Sequence, residues 1–343
     1  MLVKHSYPEY QTWFDPASGF FARVEKPGFP EPFWAETGPE LIDISITNWC
    51  DRECAFCYRS SSRKGKHMPL EDYRMLISQA AELGVFQVAL GGGNPNQHPD
   101  FVEILRLTRE SGIVPNYTTN GCGLNDAILD ATREYCGAMA VSAYPPYDYL
   151  PEVLRSIQCY GLKTNIHYIL SSRSIYNAID WLRESPEWLH AINAIVFLNY
   201  KPIGPVVDND KLLSRSDQLQ AFFDLVGQGG FPFKVGFDSC SVSGLLQYTQ
   251  FSSRYFDFCE GARFSMFVSE EMKAYPCSFM VESGEGVKVR EGNLLDIWQN
   301  APVFSQFRKK LQHPVCDECS LIDTCHGGCP IFPDINLCLV DED

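Results

Sequence analysis

The 14 cysteines are the residues of this 343-residue chain that most clearly point to chemistry. Cys50, Cys54 and Cys57 follow the apolar run LIDISI with the spacing C-x3-C-x2-C. Three thiolates on one tight loop can hold three corners of a four-iron, four-sulfide cubane, which leaves the fourth iron open to a substrate or cofactor. A structural zinc site would need a fourth ligand, and the nearest spare donor, His67, lies ten residues further on. The spacing favours an iron–sulfur cluster over zinc.

A second array of cysteines occupies the C-terminal part of the chain. Its members are Cys240, Cys259, Cys277, Cys316, Cys319, Cys325, Cys329 and Cys338, and the last five have the spacing C-x2-C-x5-C-x3-C-x8-C. Few long periodic apolar runs accompany them, so we expect this region to depend on bound metal for folding. Because C-x2-C pairs also occur in zinc ribbons, zinc remains an alternative for this array.

Alternating apolar runs and helical patterns predict the element that positions the first cysteine cluster. We expect strands at 41–46, 85–90, 113–118, 138–142, 163–170 and 192–198, with the clearest helices at 69–83 and 100–111. This order predicts parallel strands joined by crossovers, and six units favour an open α/β barrel over the closed eight-unit barrel. Functional residues of such barrels lie where the strands end. We predict an extended N-terminal arm (1–40), a partial (β/α)6 TIM-like barrel (41–238) and a cysteine-rich domain (239–343).

Composition and charge exclude several classes of protein. The 45% of hydrophobic residues and 21% of charged residues are ordinary for a globular protein. The net charge of −15, without an evident basic stretch, disfavours binding to nucleic acid. We find neither a signal peptide nor an apolar run that could span a membrane, and many cysteines in a long chain favour a reducing compartment. We therefore expect a soluble, cytoplasmic protein.

The first cluster resembles the motif of the radical S-adenosylmethionine (SAM) enzymes, C-x3-C-x-aromatic-C, with Phe56 as the aromatic residue. The resemblance implies that the open iron chelates SAM, whose reductive cleavage yields a 5′-deoxyadenosyl radical that abstracts hydrogen from substrate. It extends to Gly92, Gly93, Asn94 and Pro95, where the family usually has Gly-Gly-Glu-Pro to grip the SAM amino group. In this chain Asn94 replaces the Glu. Asn120 and Ser142 match positions that contact the ribose and carboxylate of SAM, and VFLNYKPIGP (196–205) resembles the adenine-contacting stretch.

The second array resembles the SPASM extension of radical SAM enzymes, which binds two auxiliary [4Fe–4S] clusters. The resemblance implies one cluster on Cys259, Cys277 and Cys329, and a second on Cys316, Cys319, Cys325 and Cys338. Two fully ligated cubanes need eight thiolates, so we expect Cys240 to complete the first of these clusters. Met272 stands where the family has Gly, and Ser278 stands where the related sulfatase maturases place an acid. Three clusters use 11 cysteines and leave Cys122 near the mouth of the site, with Cys136 and Cys159 as expected core residues.

The implied function is oxidative modification of a substrate by a radical SAM enzyme, with a ribosomally made peptide as the first choice. Oxidation or rearrangement of a small metabolite is the alternative within enzymes, and a zinc-stabilised binding module is the alternative outside them. The implied partners are the substrate and an electron donor of the flavodoxin or ferredoxin type. The 40 residues before the barrel are too few for a peptide-recognition domain, so we expect either a separate recognition protein as a further partner or a short peptide as the substrate. No catalytic acid or base is assigned, although either His167 or Tyr168 should face the barrel interior.

Overall fold

The protein is described by a computed structural model of residues 2–314, 316 and 319–338. The parts of the predicted domains at 1, 315, 317–318 and 339–343 lie outside these described residues. A small antiparallel sheet comes first and consists of β1 (Val3–Ser6), β2 (Tyr10–Phe14) and β3 (Phe21–Glu25). It differs from the predicted extended arm because β2 alternates buried Tyr10, Thr12 and Phe14 with half-buried neighbours, a pattern that favours strand pairing.

Parallel strands in chain order form the main sheet, which confirms the predicted open α/β barrel. Within the described residues these strands are β4 (Leu41–Thr47), β5 (Gln87–Gly92), β6 (Val114–Thr119), β7 (Ala138–Ala143), β8 (Thr164–Leu170), β9 (Ala194–Asn199) and β10 (Lys234–Phe237). The helices that connect them are α1 (Leu70–Glu82), α2 (Phe101–Glu110), α3 (Asp126–Tyr135), α4 (Leu150–Gln158), α5 (Ile175–Glu184) and α6 (Asp217–Gln228). The strand β10 was not among the six predicted strands, because its run KVGF is short and contains a glycine.

The two faces of the barrel strands have different environments. Along β8, residues 164, 166, 168 and 170 are buried under the helices, while 165, 167 and 169 face the interior and are only half-buried. Each helix packs one apolar face against the strands. In α1 this face consists of the buried residues Tyr73, Leu76, Ile77 and Ala80. The hydrophobic core of the barrel therefore lies between the strands and the helices. The interior, on the other face of the strands, is less tightly packed.

The C-terminal region continues the same sheet and the same core. Its elements are α7 (Val242–Tyr248), β11 (Ser265–Val268), β12 (Lys273–Tyr275), β13 (Val287–Lys288), α8 (Leu294–Asn300), α9 (Pro302–Gln312) and α10 (Ile322–Cys325). Strand β11 pairs in parallel with β4, and β12 and β13 follow it antiparallel. Trp298 and Phe304 belong to the same hydrophobic cluster as Ile42 of β4. The predicted boundary at 238 stays a prediction, since the hydrophobic packing is continuous there.

Among the described residues, we find no helix with both the length and the apolarity needed to cross a bilayer.

The N-terminal sheet is held to the barrel by a small apolar cluster, which makes its attachment testable. Phe14 packs between Phe86 and Val114, with the Phe14 and Phe86 rings 5.4 Å apart. We expect Phe14→Ala to cost about 3–5 kcal/mol of local stability, as buried Phe→Ala changes usually do. Hydrogen exchange should show faster exchange in residues 3–25 while the barrel amides stay protected. Phe20→Ala, at a side chain that is 56% exposed, is the control, and equal protection in both variants would contradict this attachment.

Candidate active site and cysteine clusters

The first three cysteines lie on a loop that leaves the carboxyl end of β4 and is held by backbone hydrogen bonds. Asn48 N donates to Lys66 O at 2.7 Å, Cys50 N to Ser62 O at 3.0 Å, and Cys57 N to Cys54 O at 3.0 Å. These bonds fold residues 48–66 back on themselves and bring the three thiols together. Burial, together with the neighbouring thiols and Asp51, raises the pKa of Cys50 to about 11.

The surroundings of these thiols fit a thiolate-bound cluster. Arg52 N donates to Cys50 Sγ at 3.4 Å, Ser61 N donates to Cys57 Sγ at 3.5 Å, and Asn120 Nδ2 lies 3.7 Å from Cys50 Sγ. Such N–H donors stabilise the negative charge of ligating sulfurs and tune the potential of the cluster. Burial disfavours a thiolate that has no positive partner. Iron ions of a bound cluster would supply that positive charge and so offset the desolvation free energy of the sulfurs.

The glycines of the 92–95 segment let β5 approach the cysteine loop. A Cβ on Gly92 would stand 2.0 Å from Thr47 O, and one on Gly93 would stand 1.9 Å from Trp49 O. The contact includes hydrogen bonds from Gly93 N to Thr47 O (2.7 Å) and from Asn94 N to Trp49 O (3.0 Å). Gly92 also has a φ of +110°, which favours glycine. This segment is therefore a backbone support of the cysteine loop.

The side chain of Asn94, predicted to contact the SAM amino group, makes hydrogen bonds within the protein. Its side chain is fully buried, and Oδ1 accepts hydrogen bonds from Thr119 Oγ1 at 3.0 Å and Asn120 N at 3.1 Å. Its Nδ2 donates to Cys122 O at 3.0 Å. An amide can both donate and accept, so it joins the ends of β5 and β6 in a way that a carboxylate could not. The Asn94 side chain is thus directed at protein groups, and a contact of this residue with SAM stays a prediction.

The other predicted SAM-contact residues also lie at strand ends near the cysteine loop. Asn120 Nδ2 donates to Asp51 Oδ1 at 2.9 Å, so Asn120 bridges the end of β6 to that loop. Ser142 lies at the end of β7 and is 7% exposed. The Phe56 ring lies 5.1 Å from that of Tyr144, just beyond β7. Pro95 is buried in the turn after Gly93. Their contacts with SAM stay predictions.

Four cysteines from distant parts of the sequence form a second group of thiols. Cys240 follows β10, and its thiol and that of Cys329 shift each other's pKa, upward for Cys240 and downward for Cys329. Cys259 and Cys277 act electrostatically on the same group, and burial raises the pKa of Cys277 to about 12. Phe332 N donates to Cys329 Sγ at 3.4 Å. The structure thus brings Cys240 together with the three cysteines expected to bind one auxiliary cluster.

The remaining four cysteines of the array line a separate small cavity of about 60 Å³. They are Cys316, Cys319, Cys325 and Cys338, and residues of α7 cover them. Cys316 acts electrostatically on both Cys325 and Cys338, and burial raises the pKa of Cys325 to about 11. Both predicted sets of four thiols are therefore brought together by the fold, and their roles as ligands stay predictions.

Within residues 2–314, 316 and 319–338, no three His, Cys, Asp or Glu side chains converge on a position where one metal ion could bind.

Comparisons with known proteins agree with this geometry. Residues 44–185 match the sequence model of the Radical SAM superfamily. These residues form a radical SAM domain. The chain is therefore an enzyme of the radical SAM type, with SAM and an iron–sulfur cluster as cofactors, and the alternative of a zinc-stabilised binding module without catalysis is removed.

Individual relatives extend over most of the chain. It is 24% identical over 322 residues to the PqqA peptide cyclase of Granulibacter bethesdensis, which covers 85% of this chain and 82% of that protein. It is 22% identical over 318 residues to the mycofactocin maturase MftC of Mycobacterium ulcerans, with 85% and 83% covered. The structure of Streptococcus suis SuiB bound to S-adenosylmethionine matches with a TM-score of 0.70 at 19% identity, over 89% of this chain and 78% of SuiB. This likeness shows the fold.

Three cysteines lie outside the two arrays and the first loop. Cys122 accepts a hydrogen bond from Arg52 Nη2 at 3.6 Å, at the mouth of the radical SAM domain. Cys136 is half-buried at the end of α3, and burial raises its pKa. The expectation of a core position is wrong for Cys159, which is exposed because it follows α4 on the solvent side.

The interior of the barrel also contains ionisable residues that the sequence analysis did not assign. Asp43 of β4 lies inside the barrel, where burial and Glu260 raise its pKa to about 7. His167 is the member of the His167–Tyr168 pair that faces the interior, and burial lowers its pKa to about 4. Lys201 Nζ is buried and donates to Asp238 Oδ2 at 2.8 Å. The sequence did contain one indication that Asp43 has a functional role, since it is the single charged residue within the apolar run LIDISI.

The close contact at Gly93 generates a prediction about cluster binding. In Gly93→Ala the new Cβ must displace Trp49 O, which shifts the loop that positions Cys50. We expect the anaerobically reconstituted variant to lose about four irons per chain, the content of one cubane. Gly91→Ala is the matched control, because no protein atom lies within 4 Å of its Cβ position. Full iron content and an unchanged spectrum in Gly93→Ala would show that the contact does not support the cluster.

Proposed function

We propose that this chain is a radical SAM enzyme that oxidatively modifies a ribosomally made peptide by crosslinking, dehydrogenation or rearrangement. The observation that carries the proposal is the combination of a three-thiol loop with a set of four buried thiols at one end of the same barrel. Relatives named as a peptide cyclase and as a mycofactocin maturase align over 85% of the chain, which supports a peptide as the substrate class.

The cofactors of the proposal are SAM and three [4Fe–4S] clusters. Cys50, Cys54 and Cys57 would hold the cluster that binds SAM, and its reductive cleavage would supply a radical able to abstract a hydrogen atom. The auxiliary clusters would be held by Cys240, Cys259, Cys277 and Cys329, and by Cys316, Cys319, Cys325 and Cys338. Each set supplies four thiols, so both auxiliary clusters would be fully ligated.

The residues between the two thiol groups would handle the products of a two-electron oxidation. After a hydrogen atom has left the peptide, one proton and one electron must also leave. Asp43 carries an interior carboxylate with a raised pKa, so it can accept the proton at a carboxylate oxygen. The electron would pass to the cluster on the Cys240 set. The ring of Tyr58 contacts Phe279 with their centroids 4.8 Å apart, and these two residues link the first loop to the Cys277 segment.

The partners of the proposal are the peptide, a flavodoxin- or ferredoxin-type electron donor and a separate peptide-recognition protein, in the reducing cytoplasm. A precursor peptide encoded beside this chain is the substrate to test. Anaerobic reaction with SAM and dithionite should give a product lighter by the mass of one hydrogen molecule for a crosslink or a dehydrogenation. Formation of 5′-deoxyadenosine without any change in the peptide would contradict the peptide assignment.

Removal of the first three thiols tests the radical step. We expect a protein with Cys50→Ala, Cys54→Ala and Cys57→Ala to lose reductive SAM cleavage, because no cluster is then available to bind SAM. The auxiliary sets are intact, so about eight irons per chain should remain. Chromatography of 5′-deoxyadenosine and iron analysis provide the two readouts. Continued production of 5′-deoxyadenosine would refute the assignment of these ligands.

Cys240 gives an independent test of the auxiliary ligand set. Cys240→Ala should change the spectrum of one auxiliary cluster, because its thiol belongs to the group that includes Cys329. Dithionite-driven SAM cleavage should persist, while peptide oxidation should fall. Cys159→Ala is the control, since this exposed thiol belongs to no group of cysteines described above. Identical electron paramagnetic resonance spectra for both variants would exclude Cys240 as a ligand.

A further inference from the structure

A basic segment follows the first cysteine cluster directly. Residues 59–66 read RSSSRKGK and contain four cations without any carboxylate, in a chain whose net charge is −15. This corrects the expectation that the chain lacks a local basic stretch. The segment is too short to offset the overall charge, but it creates a local field of the opposite sign.

Most of these cations face solvent. Arg63, Lys64 and Lys66 are exposed, and we call these three residues the cationic loop. Neither Arg63 nor Lys64 makes an ion pair with another residue in the described part of the chain. Lys66 pairs at 3.2 Å with Glu271, yet its side chain remains 77% exposed. Arg59 is different, because it is buried and bound to Glu270 at 2.6 Å, where it anchors the base of the segment.

The cationic loop is joined to the cluster ligands by short hydrogen bonds. Ser62, next to Arg63, accepts a hydrogen bond from Cys50 N at 3.0 Å. Ser61 N donates to Cys57 Sγ at 3.5 Å. The residues next to the cationic loop are therefore hydrogen-bonded directly to two of the proposed ligands of the first cluster, Cys50 and Cys57.

The backbone holds the loop in a fixed position. Gly65 packs so closely on the cysteine loop that a Cβ there would stand 1.8 Å from Asn48 O. Lys66 O accepts from Asn48 N at 2.7 Å, and Ser62 forms a parallel bridge with Trp49. The cations are therefore presented by a constrained loop, which reduces the ordering cost of binding.

We propose that Arg63, Lys64 and Lys66 form the docking surface for an acidic one-electron carrier protein that reduces the first cluster. The inference rests on the proposed function, because reductive SAM cleavage consumes one electron from outside the chain. The carrier loses one electron and the cluster on Cys50, Cys54 and Cys57 gains it, with no bond made or broken. An acidic carrier is repelled by a surface of charge −15, so a local positive site beside the cluster both orients and accelerates its approach.

Charge reversal of the loop in the holoenzyme tests the proposal. Reduced flavodoxin is the probe, and the readout is the ratio of flavodoxin-supported to dithionite-driven formation of 5′-deoxyadenosine. Dithionite is a small reductant that needs no docking surface, so the ratio removes effects on folding, cluster content and SAM binding. We expect Arg63→Glu with Lys64→Glu to lower the ratio about tenfold at low salt and at limiting flavodoxin. The loss should shrink as ionic strength rises.

The matched control reverses two exposed cations elsewhere. Lys309 and Lys310 are neighbours at the end of α9, and their change to Glu alters the net charge equally. If both double variants lower the ratio alike, only total charge matters and the docking surface is refuted. The neutral variant Arg63→Gln with Lys64→Gln should raise the KM for flavodoxin and leave kcat unchanged, and an unchanged KM would also refute it.

An acidic substrate peptide is the competing occupant. If a peptide binds there, the variant with Arg63→Glu and Lys64→Glu should lose peptide modification even when dithionite is the reductant. The ratio of flavodoxin-supported to dithionite-driven 5′-deoxyadenosine formation would stay constant, and the proposed docking of the carrier protein would be overturned. Direct titration of flavodoxin onto the holoprotein separates this proposal from the proposed function. Loop-dependent binding would support the docking surface even if no peptide were modified, and equal binding by all variants would contradict it.

Discussion

The backbone contact between the end of β5 and the cysteine loop is the constraint on which the radical site depends. The loop has no helix or strand of its own around Cys54, so its shape comes from hydrogen bonds to its neighbours. Gly92 and Gly93 let the end of β5 approach the loop closely, since any side chain there would collide with a carbonyl oxygen. Reactive constellations must be held within about half an ångström of their working geometry. The two glycines allow backbone atoms to provide that precision.

The C-terminal region faces a different constraint, which is the burial of many thiols. Burial raises the pKa values of Cys259 and Cys277, which favours neutral thiols, whereas binding to a cluster would favour thiolates. Metal binding and folding are then linked. Cys329 belongs to one set, while Cys325 and Cys338 on either side of it belong to the other. Binding of either proposed auxiliary cluster would therefore restrain the segment that carries the proposed ligands of the other.

Sequence patterns predicted the features that depend on spacing along the chain. The C-x3-C-x2-C motif indicated a cluster site, and the apolar runs indicated parallel strands with functional loops at their ends. Features that depend on which side chains meet in space were not predictable in this way. The hydrogen bonds of Asn94 come from β6, and the exposure of Cys159 follows from the rotation of α4 against the barrel. The short antiparallel sheet at the N-terminus was missed because its strands are only four or five residues long.

The placement of charge inside the barrel gives the proton and the electron of the proposed oxidation different destinations. Lys201 is buried beside Cys240 and Cys329, and its positive charge favours any state of that site with added negative charge. Asp43 lies on β4, and the largest influences on its pKa, burial and Glu260, both favour proton uptake. Asp43 also acts electrostatically on Cys277, so the proposed proton acceptor lies close to the thiols proposed to hold the electron-accepting cluster. Because Asp43 lies on β4 while Lys201 follows β9 and pairs with Asp238 at 2.8 Å, the proton acceptor is not neutralised by the cation beside the Cys240 group.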